Sequence, residues 1–111
     1  MLSDLFNLNC AVDKITNSGP PIHDPTVFRI DLSKNEFCMG DCSSIRPIAS
    51  VDDGNLVLMN DTIPNVLYYH VDINRRDGVI NGIFRQGTSE LTLWTGHCDL
   101  EPFTGFTERK F

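Results

Sequence analysis

The chain has 111 residues, 41% hydrophobic and 22% charged, and its nine basic and fifteen acidic side chains give a formal net charge of -6. Such a length builds one domain, residues 1–111, and so even a mix of apolar and charged residues excludes intrinsic disorder. The basic residues are scattered apart from Arg75-Arg76 and Arg109-Lys110, which speaks against nucleic acid as a partner, and no apolar run reaches the roughly 18 to 20 residues of a membrane-spanning helix.

Taken in chain order, Phe6-Asn7-Leu8-Asn9-Cys10-Ala11-Val12-Asp13 has apolar side chains at every second position. That period predicts a half-buried strand with Cys10 pointing inward. Thr16 to Pro25 is rich in Asn, Ser, Gly and Pro and reads as a loop. Phe28, Ile30 and Leu32 alternate with Arg29 and Asp31, then Ser33-Lys34-Asn35 supply a turn before Glu36-Phe37-Cys38-Met39, the pattern of a hairpin. Ile45 to Val51 is extended, and Pro47 within it cannot donate to a ladder, so an edge or a bulge is expected there.

Asp52-Asp53-Gly54-Asn55 predicts a tight turn. Leu56 to Met59 is the returning strand, and Asn60 to Pro64 reads as a loop. In Val66 to Ile73, Leu67, Tyr69, Val71 and Ile73 share one face, with Val66, Tyr68, His70 and Asp72 on the other. Asn74 to Gly78 forms the next turn, and Val79 to Arg85 continues with Gly82 as a candidate bulge. Gln86 to Ser89 turns again. Glu90 to Thr95 sets Leu91 and Leu93 against Thr92 and Trp94, and an aromatic tail, Glu101 to Phe106, is expected to cross an open end of the sheet. The fold class expected is therefore all-β, a single antiparallel meander of about seven to eight short strands, curled into a barrel or split into a sandwich.

The four cysteines, Cys10, Cys38, Cys42 and Cys98, allow three disulfide pairings. The favoured one joins Cys10 to Cys98, tying the first strand to the last, and Cys38 to Cys42 across a segment that Gly40 can bend. The rival readings are a zinc site of Cys38, Cys42 and Cys98 with His97 or Cys10, and four reduced cysteines in a core. Zinc is disfavoured because its structural sites use two close pairs and this chain has one.

Candidate chemistry is sparse. His70 and Asp72 project from one face of a strand, close enough for the carboxylate to orient the imidazole. Tyr68 on that face, and Glu90 or Thr92 from a neighbouring strand, could join them. Trp94 with Tyr68 would form an exposed aromatic face if it lay opposite the Tyr69/Val71 and Leu91/Leu93 rows. Tyr68, His70, Asp72 and Trp94 are thus the binding candidates, weighed against an ordinary polar surface for His70 and Asp72 and against a second layer of core for Tyr68 and Trp94. His97 and Cys98 point to opposite faces and cannot form a thiol-base pair. His23-Asp24 reads as loop decoration. Asp52 to Asn55 lacks the terminal Glu of an EF-hand, and Asn60-Asp61-Thr62 matches an N-glycosylation acceptor. No metal or cofactor is expected.

Phe6 to Cys10, Phe28-Arg29-Ile30-Asp31-Leu32, Phe37-Cys38-Met39-Gly40-Asp41-Cys42, Ile45 to Ala49, Ile73-Asn74-Arg75 with Asp77-Gly78, and Gly96-His97-Cys98 to Phe103 and Phe106 together resemble short exported bacterial proteins of unknown function that carry four cysteines. The resemblance implies the periplasm or cell exterior, where disulfides persist, and no activity. Met1 lacks an export signal, so the expectation is a protein from which one has been removed, with a cytoplasmic location as the alternative. The functional expectation is a noncatalytic module that binds an unknown protein or small ligand. Its alternatives are a small hydrolase using His70 and Asp72, and an acidic cytoplasmic inhibitor of a basic partner.

Overall fold

The computed structural model describes residues 4–17, 19–64, 66–87 and 90–105. Ser89 of the expected turn, Phe106 of the tail, the Arg109-Lys110 pair and the side chain of Glu90 lie outside the described residues.

Among the described residues ten strands make one antiparallel sheet: β1 (Leu5–Thr16), β2 (Ile22–His23), β3 (Thr26–Asp31), β4 (Glu36–Met39), β5 (Arg46–Pro47), β6 (Ser50–Val51), β7 (Asn55–Ile63), β8 (Leu67–Asn74), β9 (Val79–Gln86) and β10 (Glu90–Glu101). Their spatial order is β5-β4-β3-β1-β10-β9-β8-β7-β6, with β2 added on β1. There is no helix among the described residues.

The count exceeds the expected seven to eight because three strands are two residues long. Ile45 to Val51, expected as one segment, divides into β5 and β6, and β2 sits inside the expected Thr16 to Pro25 loop. Asn60 to Ile63, whose polar composition reads as a loop, extends β7 and pairs with Leu67 to His70.

The two ends of the strand order explain why the sheet curls. β5 and β6 are separated along the chain by only Ile48 and Ala49, so Pro47 and Ser50 are at most about 11 Å apart. A flat sheet of this many strands, spaced by about 4.8 Å, would hold its edges several times farther apart. The sheet must roll into a half-barrel, and buried Ile48 sits in the seam. Its N–H donates to the Asn35 carbonyl at 3.0 Å, and the Asn35 side-chain amide donates back to the Ile48 carbonyl at 3.2 Å.

The concave face carries the core: Leu8, Cys10 and Val12 of β1, Phe28 and Ile30 of β3, Phe37 of β4, Leu56 of β7, Val71 and Ile73 of β8, Ile80 of β9, and Trp94 and Cys98 of β10. The register runs continuously across it. Gly82 faces Val71 on one side and Trp94 on the other, so Gly82 is no bulge. It leaves room for the indole, since a Cβ there would meet the Trp94 Cβ at 3.1 Å. The irregularity lies instead between Val57 and Met59.

Cys10 and Cys98 are direct partners in the β1–β10 ladder and are joined by a disulfide, and a second links Cys38 to Cys42. Two disulfides fit an oxidising compartment. The tail does not cross an open end. Thr104 and Gly105 lie on the convex face, where the Asn7 amide donates to the Thr104 hydroxyl at 3.0 Å and the Arg29 guanidinium to the Gly105 carbonyl at 2.9 Å. Polar Asn7 and Arg29 on that face give the tail its hydrogen bonds.

Two turns depend on carboxylates. The Asp31 carboxylate accepts from the Ser33 hydroxyl at 2.6 Å and the Lys34 N–H at 3.1 Å, while that of Asp52 accepts from the N–H groups of Asn55 at 2.7 Å and Gly54 at 2.8 Å. These bonds favour the ionised form and hold both groups below the ordinary carboxylate value, the Ser33 bond contributing most at Asp31 and the Asn55 bond most at Asp52. A lowered folded-state value means that both aspartates stabilise the fold above the unfolded carboxylate value of about 4, and that this contribution is lost as pH falls through the folded-state values. The melting temperature of the wild type should thus decline more steeply below that pH than that of a variant with Asp31→Asn and Asp52→Asn. Parallel declines would contradict the assignment.

Candidate functional site: a pocket at one end of the half-barrel

The pocket arises where one ladder stops and its neighbour continues. β9 begins at Val79, opposite His97, whereas β10 runs on beside β1 to pair Leu100 with Leu8 and Glu101 with Asn7. Beyond His97 the concave face therefore has a wall from β1 and β10 and a facing wall from β7 and β8, without β9 between them. The apolar lining follows from alternation: Phe6, Leu8, Cys98 and Leu100 on one side, Leu56 and Ile73 on the other. With Asn74 to Gly78 and Asp99 these residues line a half-open pocket of about 330 Å³, within the usual size of small-molecule sites.

The Asn74 to Gly78 turn leans over this cavity and is held from three directions. Its own Asn74 side chain accepts from the N–H groups of Arg76 and Asp77 at 2.8 and 3.3 Å. Arg75 ties it to the Asp52–Asn55 turn through its N–H to the Gly54 carbonyl at 2.9 Å and its guanidinium to the Asp52 carbonyl at 2.7 Å. Gly78 has φ of +77°, its carbonyl accepts from the Cys98 N–H at 2.7 Å, and a Cβ at this position would stand 2.5 Å from the Cys98 carbonyl oxygen. Only glycine lets the turn approach the disulfide-bonded strand so closely.

Charge at the mouth is mixed but not equally engaged. The Asp77 carboxylate accepts from the Val79 N–H at 2.9 Å, and that of Asp99 faces the His97 ring at 3.7 Å. Arg75 is committed to Asp52. The Arg76 guanidinium has no ion pair or hydrogen bond among the described residues. Leu100, at 65% exposure, is the most exposed large apolar side chain among the described residues.

The residues proposed from sequence sit elsewhere. His70 and Asp72 do meet on the convex face, Nε2 to Oδ2 at 2.7 Å, with the Asn60 side-chain oxygen 3.4 Å from Nδ1. His70 borders a shallow depression with Ile15, Asn81, Gly82, Ile83, Leu93, Trp94 and Thr95, so it shares this lining with Trp94 although the indole packs on the other face. Tyr68 shares that face by alternation, but Trp94 does not. Its cross-strand partners are Gly82 and Lys14, and it packs on the concave face, 8% exposed, 4.6 Å from Phe84 with the Lys14 ammonium 4.5 Å above the indole. The expected Tyr68/Trp94 face is therefore not formed, and Leu91 and Leu93 lie on the Tyr68 side instead. A one-residue shift of parity moves every side chain of a strand to the other face.

Each histidine has an aspartate: His23 with Asp13, His70 with Asp72, and His97 with Asp99. His23 thus pairs across β1–β2 and not with adjacent Asp24, which pairs with Lys14. No cluster of three metal-binding side chains occurs among the described residues. Of the residues lining the pocket, only Cys98 was picked out from sequence, as a disulfide or zinc candidate. Arg75-Arg76 beside a turn, and Leu100 two residues beyond the inward Cys98, were the available signals. No family model, curated protein or solved structure matches the chain.

Proposed function

We propose that this domain is a noncatalytic binding module of the periplasm or cell exterior, and that it takes a small apolar molecule in the pocket at the end of the half-barrel. The observation that carries this reading is an apolar cavity of about 330 Å³ with Leu100 left 65% exposed at its rim. Folding alone gains little from a leucine in that position, whereas a bound molecule would cover it. The Cys10–Cys98 disulfide supports the exported location.

The test is titration with a neutral apolar fluorophore, N-phenyl-1-naphthylamine. One equivalent should bind the wild type, and Leu100→Asp should weaken binding about tenfold, in line with the value of burying one leucine side chain. Failure of the wild type to bind, or equal binding by the variant, would overturn the proposal. Leu100 contributes little to the core, so the variant should retain the unfolding midpoint of the wild type.

A further inference from the structure

We infer that the ligand of this pocket is an amphipathic monoanion, an apolar chain or ring bearing one carboxylate that is held by Arg76. The inference rests on the binding reading above and adds the chemistry of the head group. The apolar lining accounts for the body of such a molecule: Phe6, Leu8, Leu56, Ile73 and Leu100 offer no side-chain hydrogen bond, so the part that enters must be apolar.

The polar end of the ligand must lie at the turn, because Asn74 to Gly78 supply the polar side of the pocket. Among the charged groups there, Arg75 donates to the Asp52 carbonyl and Asp77 accepts from Val79, while the Asp99 carboxylate stands 3.7 Å from the His97 ring, beyond hydrogen-bond distance. Arg76 alone is left with its five donors unmatched by any described residue, while its backbone N–H is fixed by Asn74 at 2.8 Å. A guanidinium pairs with a carboxylate through two parallel hydrogen bonds, a geometry that an alcohol cannot reproduce.

The same surroundings limit the charge of the ligand to one. Asp77 and Asp99 also line the mouth, and a dianionic head such as a phosphate monoester would bring a second negative charge against them with one free cation to offset it. A cationic head would be attracted to those aspartates but repelled by both arginines.

The experiment is displacement of N-phenyl-1-naphthylamine from the wild-type domain by decanoate, decanol and decylamine, each below its micellar concentration, repeated with Arg76→Gln. Decanoate should displace the probe at about one-tenth the concentration of decanol, a ratio worth one charge-assisted hydrogen-bonded pair. In Arg76→Gln that advantage should vanish while decanol is unchanged. Equal displacement by decanoate and decanol in the wild type overturns the head-group assignment and leaves the apolar pocket standing. Tightest binding of decylamine overturns it in favour of the aspartates. If none of the three displaces bound probe, the pocket reading falls as well.

Discussion

Replacing Cys10 and Cys98 together by alanine should lower the unfolding free energy by about 4 to 5 kcal/mol, against about 2 kcal/mol for the pair Cys38 and Cys42, when the chain-entropy relation is applied to the two loop lengths. The sequence separations are 88 and 4 residues, so the first cross-link restricts almost the whole unfolded chain and the second only a bend. Alanine is the appropriate replacement because Cys10 is fully buried, and a serine would leave its hydroxyl without a partner in the core. The β1–β10 ladder does not depend on the sulfurs, so both double variants should keep a β-rich circular dichroism spectrum. Denaturant unfolding of the two and of the wild type, each curve fitted with its own slope, measures the difference. A larger loss from the short clip would contradict the loop argument.

Gly96→Ala should be damaging for an unrelated reason. Gly96 faces Val12 across the β1–β10 ladder, and a Cβ built on it would stand 1.9 Å from the Ala11 carbonyl oxygen and 3.1 Å from the Val12 Cα. These are backbone atoms of the longest ladder in the sheet and cannot rotate away as a side chain would. Relief requires the two strands to part locally, beside the disulfide at Cys98. The expected cost is about 3 kcal/mol, the upper part of the range for overpacked sites. Gly54→Ala, where the Cβ would meet only the Asp52 carboxylate at an ordinary 3.6 Å, should cost under about 1 kcal/mol and serves as the control. Thermal unfolding of both variants decides the matter, and equal melting temperatures would refute the close-approach argument.

Much of this architecture was legible because it depends on short-range rules. Alternation in Phe6 to Asp13 located β1 and turned Cys10 inward. The turns at Asp52–Asn55 and Asn74–Gly78 were readable because Asp, Asn and Gly are the residues such turns use. The face of Trp94 was harder. β10 is apolar on both sides, with Leu91 and Leu93 on one and Trp94 and Cys98 on the other, so alternation alone leaves its parity open. The favoured cross-link held the answer: if Cys98 meets inward Cys10, Trp94, four residues earlier on the same strand, must point inward too. The Asn60 to Ile63 end of β7 was read as a loop because polar residues mark both turns and exposed strand ends. The pocket was legible only as separate hints, Arg75-Arg76 and Leu100, with nothing to join them. It depends on β9 starting opposite His97 while β10 continues, and where a ladder stops is decided by the geometry of the whole sheet.

The seam at Ile48 bears on the free edges of the sheet. Every sheet that is not fully closed has two outer strands whose free N–H and C=O groups can recruit a further strand, and long flat ones invite aggregation. Here both outer strands, β5 and β6, are two residues long, and one of them contains Pro47. Proline withholds a donor from any incoming strand, and the two-residue link through Ile48 and Ala49 keeps the borders facing each other. Cleavage between Ile48 and Ala49 would free both at once, turning a self-contained half-barrel into a template for strand exchange between copies.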